Sequence, residues 1–261
     1  MSDQGEEADA DEGYQRFDCT GTDEAALALA TDAARRAVER GDCIVLPTDT
    51  VYGIAADAFS PPAVQRLLEA KDRGRDMPPP VLIAEASLIR VLATDVSDAA
   101  KSLVAKHWPG PLTVICRAQP SLRLDLGEAE GTIAMRVPDH ELARLLLRQI
   151  GPMAVSSANL TGQPAAVTCD EAIEQLGSRV AVYLDGGRSG QAAAAPSTIV
   201  DFSRSDFGEV LRHGALSIEV LRETCPDLDD LVGPPDHADH RSADVGVLTS
   251  DLDPRSEPSG G

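Results

Sequence analysis

The sequence predicts an α/β layered domain on a mixed sheet, and three observations predict it. Short apolar runs bounded by turn residues alternate with amphipathic stretches of helical period. Of the 261 residues, 43% are hydrophobic but only 3% aromatic, so the core is built from Ala, Val, Leu and Ile. After residue 180 the links between apolar runs are short, which suggests antiparallel pairing there and hence a sheet of both senses. There is no internal repeat.

Residues 1–16 are acidic, contain Gly and lack periodicity, so they are expected to be a disordered tail. Asp23 to Arg40 reads as an Ala-rich amphipathic helix closed by Gly41. Cys43 to Leu46 is a short buried strand stopped by Pro47. Ala63 to Lys71 is helical, with Val64, Leu67 and Leu68 on one face. Val81 to Ile83 is a strand, and Asp98 to Trp108 a helix beginning near Ser97. Leu112 to Arg117 and Thr132 to Val137 are strands, followed by a helix from Asp139 to Gln149. Ala154 to Ser156 is a strand, Thr168 to Leu176 a helix and Val180 to Leu184 a strand. Ser197 to Asp201 and Val210 to Arg212 are strands. One domain is therefore expected over 17–224, with 225–261, rich in Pro, Asp, Ser and Gly, a second disordered acidic tail.

The net charge of −20 is unevenly spread. Residues 1–24 carry −8 and 225–261 carry −7, leaving about −5 on the stretch between. This argues against a general nucleic-acid coat protein but not against a nucleotide site. The five cysteines are scattered, without a C-x-x-C pair, so neither a disulfide framework nor a zinc site is expected. Cys43 and Cys116 lie in apolar runs and read as buried small hydrophobes. No metal-ligand cluster is visible. No run approaches the roughly 20 apolar residues of a membrane span. The acidic N-terminus has no signal-peptide pattern, so a cytoplasmic chain is expected.

No phosphate-binding loop and no G-x-G-x-x-G dinucleotide fingerprint occurs. Gly186-Gly187-Arg188-Ser189-Gly190 is either a backbone cradle for an anion or a surface turn. The run Pro47 to Gly53 follows a buried strand, so Thr48, Asp49, Thr50 and Tyr52 emerge at a strand end, where open α/β sheets bind ligands; taken alone, these residues read more readily as a capped turn. Lys71, Arg73 and Arg75 stand at every second position past a helix end and, in an extended segment, would point the same way as a cationic comb. The alternative is a solvated set complementing the helix C-terminus. Arg136 sits in an apolar strand and needs an anionic partner, from the protein or from a ligand. Ser156, Ser157 and Asn159 form a compact polar group at another strand end.

Taken together, these stretches resemble the Sua5/YrdC/TsaC family of threonylcarbamoyl-AMP synthases over roughly residues 27–222. Pro47 to Gly53 fits a P-T-[DE]-T-V-Y-G motif, and Lys71, Arg73, Ser157 and Asn159 match a K-x-R…S-x-N tetrad. His107 to Thr113 resembles a W-P-G-P-x-T segment, Arg136 to His140 an R-x-P-x-H segment, and Pro196 to Asp201 an E-S-T-V-V-D strand in which Pro196 replaces Glu. Arg212-His213-Gly214 stands where Arg-Pro-Gly is usual, and Gly74 to Pro78 departs from a Pro-x-x-Asn-Pro pattern.

The resemblance implies a YrdC-like domain with a twisted mixed sheet, helices packed on it and an open concave cleft. It implies that L-threonine, bicarbonate and ATP give threonylcarbamoyl-AMP and pyrophosphate. ATP is then a substrate, bringing Mg²⁺ with it because no carboxylate cluster marks a protein-held metal. By the same resemblance Lys71, Arg73, Ser157 and Asn159 are catalytic. Arg75, Thr132 and Arg212 join Lys71, Arg73 and Ser157 as ATP contacts, and Thr48, Tyr52, Arg136 and Ser197 receive threonine. The product would pass to a separate tRNA threonylcarbamoyl-transferase complex acting on adenosine 37 of ANN-decoding tRNAs, with direct tRNA binding left open.

Two rival readings use the same fold. A non-catalytic RNA-binding module predicts RNA binding without ATP turnover, against which stand the modest central charge and the lack of an aromatic stacking platform. A carbamoyl-transfer domain would normally lie in a longer chain with zinc-finger-like cysteines, which this sequence lacks.

Overall fold

The computed structural model describes residues 13–190 and 195–233. Its elements in chain order are β1 (Gln15–Asp18), α1 (Glu24–Glu39), β2 (Ile44–Leu46), β3 (Gly53–Asp57), α2 (Pro61–Ala70), β4 (Val81–Leu82), α3 (Ile89–Leu92) and β5 (Ala93–Thr94). They continue with α4 (Asp98–His107), β6 (Leu112–Ala118), β7 (Thr132–Arg136), α5 (Glu141–Ile150), β8 (Met153–Ser157) and α6 (Cys169–Leu176). The last are β9 (Val182–Asp185), β10 (Thr198–Asp201), β11 (Glu209–Arg212), α7 (Ile218–Arg222) and β12 (Asp229–Asp230). All the strands join one mixed sheet in the order β1-β9-β2-β3-β8-β4-β7-β6-β10-β11-β12, with β5 added beside β6. β10 and β11 pair antiparallel, as the short link between them suggests. However, β9 runs parallel to β1 and β2, and β12 parallel to β11, so the antiparallel expectation after residue 180 holds for one pair only.

Local chemistry sets the helix ends. The Asp23 carboxylate accepts the backbone N–H groups of Ala25 and Ala26 to cap α1, and Thr168 caps α6 through Glu171 N–H. α2 ends in a Schellman motif: Asp72 takes φ 51°, its N–H bonds Glu69 O, and Arg73 N–H bonds Leu68 O. The segment from Lys71 to Arg75 is therefore a turn and not an extended comb. That is a correction, because the left-handed Asp72 sends neighbouring cations in different directions.

Side-chain alternation along the strands feeds two buried clusters. On β2, Ile44 and Leu46 join a cluster with Ala34, Ala37 and Val38 of α1 and Leu142, Leu146 and Leu147 of α5. Val45 between them joins the other, with Leu67 and Leu68 of α2, Leu103 of α4 and Leu176 of α6. Helices thus cover both faces, and functional side chains are left to emerge at strand ends.

Strand β3 was not expected from the sequence. Gly-Ile-Ala-Ala shows no alternation and has Ile54 as its single β-branched residue, yet Gly53–Asp57 pairs antiparallel with β2 and β8. A Cβ on Gly53 would lie 2.6 Å from Val155 Cγ1, so the motif's glycine is a packing requirement. Ordered structure also passes the expected domain edges: β1 contains Gln15 and Arg16, and β12 lies after 224. Pairing with β9 and β11 supplies what their acidic surroundings concealed. The rest of both expected tails, 1–12 and 234–261, lies outside the described residues. No helix among the described residues is long and apolar enough to cross a membrane.

Candidate active site

Strand ends from β3, β7, β8 and β10, the 47–52 loop and the 73–80 segment enclose a cavity of about 380 Å³. Its lining includes Arg73, Arg136 and Arg212, the hydroxyls of Thr48, Thr50, Thr113, Thr132, Ser156, Ser157 and Ser197, and no carboxylate. A pocket lined by three arginines, with no carboxylate among the described lining residues, favours anionic ligands.

Each motif contributes through a specific local arrangement. The Thr48 hydroxyl donates to Val51 O at 2.6 Å and accepts Thr50 N–H at 3.2 Å, closing the turn after β2. Arg136 is buried at the end of β7 and reaches this turn, donating from Nη1 to Thr50 Oγ1 at 2.9 Å. Its Nε donates to Gly110 O at 3.0 Å and its Nη2 to Asp49 Oδ1 at 2.6 Å. The anion this arginine requires is thus a protein carboxylate. Burial lowers the guanidinium's pKa and Asp49 opposes that shift.

The tetrad is split. Lys71 is buried outside the cavity lining, and its ammonium donates to the backbone carbonyls of Ser157 and Asn159 and, at 3.5 Å, to Asn159 Oδ1. Burial and the neighbouring Arg73 pull its pKa down to about 8. Asn159 spends its amide on Leu160 O and Gln163 O, both at 2.8 Å, holding its own loop while still lining the cavity. Arg73 does enter the cavity, donating from Nη1 to Ser156 Oγ at 2.9 Å. Ser157 lines the wall, as its backbone pairs with Gly53.

On the opposite wall Ser197 Oγ and Thr113 Oγ1 share a hydrogen bond of 2.8 Å, and Arg212 donates to Ser197 O at 2.8 Å and Ser197 Oγ at 3.1 Å. Burial lowers the pKa of Arg212, and the positive charges of Arg136 and Arg73 lower it further. Among the described residues neither Arg73 nor Arg212 has a carboxylate within ion-pair distance. Thr132 lines the cavity and donates to Ala129 O at 2.7 Å.

Two expectations fall elsewhere. Arg75 points away from the lining, ion-paired with exposed Asp125. The Gly186–Gly190 turn is not an anion cradle: Gly186 N–H bonds Tyr52 Oη, Gly187 N–H bonds Asp185 Oδ1, and Ser189 N–H bonds Val167 O. Three of its five backbone donors are already used. Tyr52 lines the cavity but commits its hydroxyl to this turn. Thr113 is a cavity residue to which no motif of the sequence reading assigned a role. Thr50 and Ser156 stand inside motifs already noted, whereas Thr113 reaches the site only through the pairing of β6 with β10.

Fold and site together define an α/β protein with a strand-end pocket lined by arginines and hydroxyls. The family model Sua5_yciO_yrdC, described as "Telomere recombination", matches residues 36–214, and the chain belongs to this family. A Mycobacterium leprae relative is 48% identical over 207 residues, covering 79% of this chain and 92% of its own length. A Vibrio campbellii relative named threonylcarbamoyl-AMP synthase is 34% identical over 184 residues, covering 69% of this chain and 96% of its own. The crystal structure of Pyrococcus abyssi Sua5 complexed with L-threonine aligns with TM-score 0.74 and 28% identity, covering 82% of this chain and 62% of that one.

Proposed function

We propose that the chain is a nucleotidyltransferase that makes threonylcarbamoyl-AMP and pyrophosphate from L-threonine, bicarbonate and ATP. The observation that carries this reading is the pairing of two guanidiniums that make no ion pair among the described residues, Arg73 and Arg212, with a hydroxyl-rich wall to which no described carboxylate contributes. Family membership, the synthase name of full-length relatives and the threonine bound to P. abyssi Sua5 support it.

The reaction needs such a wall. The threonine ammonium gives up a proton, and the free amine forms an N–C bond to the bicarbonate carbon as a C–O bond breaks and water leaves. An oxygen of the resulting N-carboxylate then attacks the α-phosphorus, and the bond to pyrophosphate breaks. Nucleophile and electrophile are both anionic, so cationic positioning dominates over side-chain acid–base work. Arg73 and Arg212 hold phosphate oxygens, Thr132 approaches the nucleotide, and Ser157 binds phosphate or the carboxylate intermediate. Thr48, Tyr52 and Ser197 frame threonine beside Arg136, whose charge Asp49 already balances and which holds that wall in place. Lys71 and Asn159 act by holding the 157–159 loop. Mg²⁺ would come with ATP as part of the MgATP substrate. The product serves tRNA threonylcarbamoylation in the cytoplasm through a separate transferase complex.

Pyrophosphate release by purified protein, with threonine and bicarbonate omitted in turn and the adenylate identified by mass, tests the reading. Release that requires both supports it. A folded protein that turns nothing over but binds RNA overturns it in favour of the RNA-binding module.

A further inference from the structure

One network outside the cavity leads back into it. Tyr52 is buried and ties three segments together. Its backbone bonds Ala166 O through N–H and Ala158 N–H through its carbonyl, at 2.9 and 2.8 Å, which fixes it beside the 157–159 loop. Its hydroxyl accepts Gly186 N–H at 3.1 Å, donates to Gly187 O at 2.5 Å and lies 3.3 Å from Asp185 Oδ1. Asp185 Oδ1 also accepts Gly187 N–H at 2.9 Å. The other oxygen of Asp185 is taken by Arg16 Nη2 at 2.6 Å, and Arg16 Nη1 reaches Asp170 at 2.7 Å. Arg16 lies on β1, in register with Tyr183 of β9, outside the residues 36–214 that the family model matches.

We propose that Arg16 is a positioning residue for the amino-acid end of the cavity, acting through Asp185 on the 186–187 turn and so on Tyr52. Asp185 has an exposed fraction of 20% and no second cation within ion-pair distance among the described residues. Without Arg16 this carboxylate faces an uncompensated partial burial and turns toward water, releasing Gly187 N–H. Gly186 and Gly187 then lose their anchor, and with them the Tyr52 hydroxyl loses the acceptor and donor that fix its ring against the cavity. Asp170, at the start of α6, holds the other end of the guanidinium and makes the pairing two-sided. Strand β1 is on this account part of the working site and not only an added edge.

The kinetic form of the test rests on the synthase reading, since Tyr52 is there a threonine contact. In Arg16→Ala the KM for threonine should rise about tenfold, the scale of one lost charge-assisted hydrogen bond, with the KM for ATP and the Tm nearly unchanged. Arg16→Lys should recover most of the loss. Asp185→Asn, which keeps the shape but removes the charge, should repeat the effect if Arg16→Ala folds poorly. Unchanged threonine KM, or equal rises for threonine and ATP, overturns the proposal. Amide hydrogen exchange at Gly186 and Gly187 reads the same coupling without turnover: faster exchange in Arg16→Ala supports it, and unchanged protection overturns it even if the wild type makes no adenylate.

Discussion

Two pairs of cations at this site differ in what surrounds them. Lys71 and Arg136 are buried and saturated by protein oxygens: two loop carbonyls and an amide oxygen for Lys71, and Asp49, Thr50 and Gly110 for Arg136. Arg73 and Arg212 line the cavity with hydroxyl and carbonyl partners and no carboxylate. Cations of the first kind build the site, because moving them leaves buried oxygens unpaired. Cations of the second kind retain charge for a ligand. The sequence presents all four alike, as basic residues in motifs.

The comparison breaks most visibly in turnover. Arg73→Ala and Arg212→Ala should each lower kcat/KM by about 100-fold, the scale of a lost transition-state charge contact, with far-UV circular dichroism and Tm preserved. A folded variant with normal kcat/KM would move that arginine to the structural pair. Arg136→Met should instead act first on stability, since it strands Asp49. Denaturant unfolding should show a loss of about 3–5 kcal/mol, as when one partner of a buried ion pair is removed. A loss within about 0.5 kcal/mol, the range of an ordinary surface substitution, would show the pair to be solvated.

A subtler separation comes from pH. Lys71 titrates near 8 in the folded protein and at about 10.5 when free of it, so its charged form is disfavoured by folding. That cost is fully present below pH 8, and stability relative to a Lys71→Met variant should rise between pH 8 and 10.5, as the native state releases the proton first. A flat difference over that window would mean that the carbonyl cage offsets burial. The smallest effect belongs to Arg75→Ala. Its pairing with Asp125 is exposed and worth about 0–1 kcal/mol, and kcat/KM should stay within about twofold. A larger kinetic loss would bring Arg75 back to the nucleotide.

These contrasts also mark how much was legible in the sequence. Helices α1 and α2, strands β2, β6 and β7, and the strand-end origin of the site follow from periodicity and turn residues. Strand β3 does not, because its alanines and glycine are chosen for close packing between β2 and β8 and carry no strand signature. The comb of Lys71, Arg73 and Arg75 failed for a local reason, the left-handed Asp72, which spacing cannot reveal. Asp49 was recognised only as one polar member of its motif. Its bond to Arg136 joins residues 87 apart and exists only once β7 lies near the 47–53 loop. Long-range pairing decides which cations are spent, so the motifs located the site but not the division of labour within it.

Calorimetric titration of MgATP into the wild type and into an Arg73→Ala, Arg212→Ala double variant of unchanged Tm tests the central claim most directly. Binding should weaken at least about 100-fold in the double variant, the scale of two lost charge-assisted contacts. Undiminished binding would contradict the claim that these two guanidiniums are held in reserve for the nucleotide.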